Sequence, residues 1–207
     1  MNFKNRLFSI LFLFFCFTES LAQKDPMVFD AREIVWCGLD YSHARFIGSK
    51  HFEARELPRL FIAWNDLMLS ESDKYNFKEA YQKEIQINDL SAVTARNAKV
   101  DPQERLIDEP HYSIPTEELH NIIAEYNLER EEGLGLVYIV EALNKNLQAA
   151  SIYVVFFDIA KKEILWALKY RAGAEGFGMR NYWARPIYEI IDSSRSTYKR
   201  AKRKSRK

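Results

Sequence analysis

Three consecutive runs, residues 134–142, 151–159 and 163–170, are dense in Val, Ile, Tyr and Phe, and no other stretch of the chain is as regular. Side chains branched at Cβ or broad and flat suit a pleated surface, so the runs predict strands. Ala160-Lys161-Lys162 is short enough to join the last two as a hairpin. An antiparallel meander of this kind has apolar faces that other segments must cover.

The covers are legible elsewhere. Leu57, Leu60, Phe61, Trp64, Leu67 and Met68 recur at helical spacing, with Pro58 tolerated in the first turn. A second short helix carries Phe77, Ala80 and Tyr81. Thr116 fits an N-cap, Glu117 and Glu118 suit the positive end of a helix dipole, and Leu119, Ile122, Ile123 and Tyr126 form one stripe. After the turn Gly173-Ala174-Glu175-Gly176-Phe177-Gly178, a last helix holds Tyr182, Trp183, Ile187, Ile190 and Ile191, with Pro186 as a kink or as the start of its regular part. Residues 33–41 read as a first strand whose Ile34-Val35-Trp36-Cys37 run suits burial on both faces. Residues 42–56 read as loop, 85–88 and 92–93 as weaker strand candidates, and 99–115 as loop. The expected fold is α+β, a mostly antiparallel sheet packed against helices in one domain.

The N-terminus has the three parts of a secretory signal: basic Lys4 and Arg6, an apolar run over 7–17, and Ser20-Leu21-Ala22 before Gln23. Its apolar run falls short of the roughly 20 residues that span a bilayer. The expected division is a signal peptide at 1–22, one domain at 23–198 and a basic tail at 199–207, with the protein working outside the cytoplasm, periplasmic or secreted. Cys37 is then the sole remaining cysteine, so stability must come from packing and not from an internal disulfide. Cys16 lies inside the apolar run and is not preceded by the small residue that lipidation requires. Residues 23–198 carry 21 basic and 28 acidic side chains, while the tail adds Lys199, Arg200, Lys202, Arg203, Lys204, Arg206 and Lys207 with no acid. An acidic body with a basic end can meet anionic surfaces by salt-dependent contacts. Anionic envelope polymers or lipid headgroups suit an exported protein; nucleic acid does not.

Chemistry-bearing residues are sparse. Asp40, Ser42 and His43 follow the buried run of the first strand, where α/β sheets gather ligands, although Asp and Ser also serve ordinary strand-end turns. Gly-Leu-Asp at 38–40 superficially matches the phosphate loop of actin-like ATPases, but bulky Tyr41 and His43 stand where that loop needs small residues. His43, His51, His111 and His120 lack the short pair spacing of zinc sites, so no metal is expected. The turn at 173–178 follows a hairpin strand and is not a dinucleotide fingerprint; Arg180 and Asn181 beside it are the residues placed to bind a small anion there. No nucleophile elbow, P-loop, paired-carboxylate motif or HExxH occurs, and no cofactor is expected.

The stretch Val154-Val155-Phe156-Phe157-Asp158-Ile159-Ala160-Lys161-Lys162-Glu163-Ile164-Leu165-Trp166 and the glycine turn after it resemble the hairpin of small envelope proteins, the curli-secretion and penicillin-binding-protein-activator lipoproteins. The whole chain also resembles uncharacterised secreted proteins of Bacteroidetes type, from which no activity follows. The lipid-bearing cysteine that begins those lipoproteins is missing here. The resulting expectation is an exported envelope binding or assembly module that meets an envelope protein or an anionic envelope polymer. The alternative is a small-molecule, hydrolase-like enzyme built on Asp40, Ser42 and His43.

Overall fold

The computed structural model describes residues 25–206, so the expected signal peptide and Lys207 lie outside the described residues. The described chain forms one α+β domain around a single sheet of seven strands. Its axis is β5 (Leu134–Asn144), eleven residues long and buried throughout. β6 (Ala149–Asp158) pairs antiparallel along the full length of β5, and β7 (Glu163–Gly173) pairs antiparallel with β6. This is the meander that the three apolar runs predict.

The other edge of β5 is shared. β1 (Glu33–Asp40) lies parallel to its first half, with Val35 opposite Gly135 and Asp40 opposite Ile139. β2 (Arg45–Ile47) lies parallel to its second half, with Arg45 opposite Ala142. Because β6 occupies one edge of β5 throughout, β1 and β2 are two collinear halves of one strand position, interrupted by Tyr41-Ser42-His43-Ala44. Outside them, β3 (Ile85–Asn88) runs parallel to β1 and β4 (Leu106–Ile107) runs parallel to β2.

The expectation of a mostly antiparallel sheet is therefore overturned, since four of the six strand pairings are parallel. Parallel pairing needs crossover connections, usually helical, and the chain supplies them. α2 (Leu57–Ser70) and α3 (Phe77–Ala80) lie between β2 and β3; α4 (Ser91–Asn97) and α5 (Thr116–Ala124) lie between β3 and β5. Ala92 and Val93, expected as strand, belong to α4. The short β2 and β4 lie in stretches that read as loop because two or three residues carry no detectable alternation.

Helices cover both faces. α1 (Met27–Asp30), α2, α3 and the 28-residue α6 (Gly178–Ser205) pack against one face around Trp36, Trp64, Tyr138, Phe156, Trp166 and Trp183. α4 and α5 cover the other through Val93, Leu119, Ile122, Ile123 and Tyr126. Trp36 stacks on Phe77 at 3.8 Å between ring centroids and meets Tyr138 edge-on at 5.3 Å. The Tyr81 hydroxyl pairs with those of Tyr138 at 2.6 Å and Ser194 at 2.7 Å, which ties α6 to the central strand through buried polar groups. α6 continues through Pro186, and its last turns carry Lys199, Arg200, Lys202, Arg203 and Lys204 as helix.

Phe157 lies across the strand pair from Gly135, and a Cβ at that glycine would come within 2.4 Å of its ring. Gly135→Ala should accordingly cost about 2–3 kcal/mol, as overpacking of a tight core does. Urea unfolding that shows an unchanged midpoint for this variant would contradict the packing described.

Candidate functional site

Beyond Trp36, which pairs with the last residue of β3, the outer edge of β1 has no strand neighbour. Two asparagines replace it. Asn65 of α2 accepts from the Leu39 amide at 2.8 Å and donates to the Leu39 carbonyl at 3.1 Å. Asn97 of α4 donates to the same carbonyl at 3.0 Å and accepts from the Tyr41 amide at 2.7 Å. A primary amide presents one donor and one acceptor side by side, so it completes a strand edge where backbone is absent.

The interruption that follows is held by Asp40, which is 0% exposed. Its Oδ1 accepts from the Ser42 amide at 2.7 Å, an Asx turn that lifts the chain out of the strand. Its Oδ2 accepts from the Tyr126 hydroxyl at 2.7 Å and from Arg96 Nε at 3.2 Å. Arg96 also donates to Ser42 Oγ at 3.0 Å and pairs with Glu125 at the surface.

Ser42 Oγ lies 3.0 Å from His43 Nδ1, and His43 Nε2 lies 2.7 Å from Glu118 Oε1. Burial holds the His43 pKa below its ordinary value, against the opposing pull of Glu118 and Asp40. A neutral ring satisfies every partner in one direction: Arg96 donates to Ser42, Ser42 to His43, and His43 to Glu118. The structure thus brings Asp40, Ser42 and His43 together, as the sequence suggests, and adds Arg96, Glu118, Tyr126 and Asn97 from α4, α5 and the turn after α5. Those four carry no motif. Arg96 stands more than fifty residues from Asp40 and Ser42, and Glu118 more than fifty from His43, so only the fold could reveal them.

Glu141 is the second feature hidden from the sequence. The β5–β6 register slips between Val140 and Ala142, so Glu141 is the extra residue of a bulge directly opposite the gap between β1 and β2. It is 1% exposed, accepts from the Ile114 amide at 3.0 Å and pairs with Lys169 Nζ at 2.6 Å. Glu141, Lys169, Arg171, His111 and Tyr112 line a cleft of about 370 Å³. The Tyr112 hydroxyl donates to the His43 carbonyl at 3.2 Å, joining cleft wall and interruption.

Arg180 and Asn181 stand apart from both, in the first turn of α6. With Tyr75, Tyr188, Phe177, Arg185, Glu71 and Glu175 they line a groove of about 670 Å³ between the end of α2 and the start of α6. Asp40, Ser42 and His43 line neither of these cavities. The other histidines, His51, His111 and His120, are exposed, and no three metal-ligating side chains converge among the described residues. Cys37 is fully buried, which pushes its thiol far above the ordinary range and leaves it inert.

Removing the Asp40 carboxylate leaves the buried Tyr126 hydroxyl without its acceptor and takes from the largely buried Arg96 guanidinium its one buried carboxylate, leaving it Glu125 and Ser42. Asp40→Ala should destabilise the protein by about 3 kcal/mol, and Ser42→Ala by under about 1 kcal/mol, both read from denaturant midpoints. Equal effects would contradict the hierarchy of contacts. The unfolded His43 takes up a proton near pH 6.5 while the folded ring resists it, so stability should fall as pH drops through that value. His43→Gln should flatten this dependence in urea unfolding between about pH 7 and 5.

No protein-family description matches the chain, and no curated protein matches it. Among solved structures it is similar to the LpoB C-terminal domain from Salmonella enterica, with 11% identity, 69% of this chain and 83% of that one covered, and a TM-score of 0.29.

Proposed function

We propose that this chain is an exported binding or assembly module of the cell envelope, which recognises a partner protein through the groove at the start of α6. Export is supported by the three-part N-terminus. No helix of the described residues is long and apolar enough to cross a membrane.

The observation that carries the reading is Phe177. It is 94% exposed and sits between Gly176 at φ 129° and Gly178 at φ 75°, a left-handed backbone that glycine adopts without strain. The turn therefore holds a large apolar ring out into water beside an open groove. Aromatic and Arg side chains dominate the energetic centres of protein interfaces. Arg180 is exposed and, among the described residues, its side chain has only a 3.4 Å contact to Asn181, so its charge is available to a carboxylate on the partner. Tyr75 and Tyr188 meet edge to face at 6.5 Å and form a rigid wall, while Arg185 is held by Glu189. The basic end of α6 supports a further peripheral contact with anionic polymer or lipid headgroups through Lys199, Arg200, Lys202, Arg203, Lys204, Arg206 and Lys207.

One observation favours the hydrolase alternative: Ser42, His43 and Glu118 form an unbroken hydrogen-bond chain, the arrangement by which a base activates a hydroxyl. Weighing against it, Ser42 Oγ is also engaged by Arg96 and the residue is 8% exposed. The mature protein should show no hydrolysis of p-nitrophenyl acetate beyond that of Ser42→Ala. Turnover that disappears with Ser42→Ala would replace the binding reading.

A photo-crosslinking residue at position 177 should give a discrete protein adduct in envelope fractions, and Arg180→Glu should remove it. Both changes should leave stability within about 0.5 kcal/mol, since neither side chain is buried. Absence of any adduct, or an adduct indifferent to Arg180→Glu, would count against the groove.

A further inference from the structure

We propose that the concave face at the end of α6 is a binding site for a ligand with clustered phosphate groups. This rests on the reading of the basic C-terminus as a contact surface and narrows that surface to a defined cradle. Lys199, Lys202, Arg203 and Arg206 are spaced three, four and seven residues apart, so they share one face of the helix. Together with Gln82 they line a groove of about 460 Å³, within the size range of small-molecule sites. None of the four pairs with a carboxylate among the described residues. Arg200 and Lys204 do not line the groove.

The layer behind the groove adds positive charge. Lys83 is buried, and its ammonium donates to the carbonyls of Val28 at 2.7 Å and Ala31 at 2.8 Å rather than to an acid. It lies 5.7 Å from the centre of the Tyr198 ring, and Lys202 lies 6.0 Å from the same centre. Burial and the nearby Lys202 bring its pKa down to about 8, with Asp30 pulling the other way. The fold thus gathers cations against their mutual repulsion. The partial negative charge at a helix C-terminus is only about half an elementary charge, too small to balance four full positive charges. An anionic ligand would do so. Two guanidinium forks, two ammoniums and an amide offer more donors than one carboxylate can accept, whereas adjacent phosphates present enough oxygens for all.

Titration calorimetry of the mature protein with inorganic tripolyphosphate, at low and at physiological salt, tests this. One-to-one binding is expected, with affinity lowered about tenfold each by Lys202→Gln and Arg203→Gln, and unchanged within about twofold by Arg200→Gln or Lys204→Gln. Equal losses from all four substitutions would overturn the cradle, leaving a diffuse charge effect. So would citrate binding as tightly as tripolyphosphate. Vesicles of phosphatidylglycerol and phosphatidylcholine provide a second arm. Vesicle binding with the same residue selectivity, competed by tripolyphosphate, would place the phosphate on a lipid headgroup. Vesicle binding without tripolyphosphate binding would overturn the cradle while sparing the broader surface reading, and binding to neither would overturn both.

Discussion

The architecture depends on the fact that one edge of β5 must serve two strands. β6 takes the whole of the other edge, so β1 and β2 divide what remains, and the chain between them leaves the sheet. Backbone groups of β1 beyond Trp36 have no strand partner on their outer edge. Asn65, Asn97 and Asp40 take over the missing partners, and Arg96 and Tyr126 in turn neutralise and fix Asp40. The polar cluster that looks most like chemistry is thus what allows the parallel half of the sheet to exist. Its members come from α2, α4 and the segment beyond α5, so it also sets the positions of helices around β1.

This arrangement explains which parts of the fold were legible in the residues. The meander was readable because β5, β6 and β7 are long, and the helices α2 and α5 because their apolar stripes exceed one turn. The direction of β1 was not, because a strand buried on both faces has no alternation, and nothing in Ile34-Val35-Trp36-Cys37 states whether its neighbour runs with or against it. Crossover helices carry that information, and α4 was partly mistaken for strand at Ala92 and Val93. Asp40, Ser42 and His43 were found from adjacency alone. Arg96, Glu118 and Glu141 were missed because their roles arise only when distant segments meet, in the case of Glu141 through a one-residue slip of register.

The same comparison separates polar groups that are used up by the fold from those that are left over. Around the interruption Arg96, Ser42, Tyr126 and the neutral His43 each have an acceptor. A group so engaged must break contacts before it can bind anything, which opposes function at that point. α6 shows the reverse. At its start Phe177 is exposed and Arg180 has no carboxylate partner among the described residues; at its end four cations share a groove with none among them.

One helix therefore carries both leftover surfaces, one at each end, and its middle is packed against the sheet. Trp183, Ile187, Ile190, Ile191 and Tyr198 are buried against the sheet, and Ser194 joins the hydroxyl pair of Tyr81 and Tyr138. A helix of 28 residues spans roughly 42 Å at the helical rise per residue. Ligands at its two ends cannot touch each other, but they can be held at a fixed separation. That geometry suits the proposed binding role better than one that transforms a single small molecule. The sheet and α2 hold α6 in place through its buried face and the Trp64 Nε1 bond to the Arg180 carbonyl at 2.9 Å.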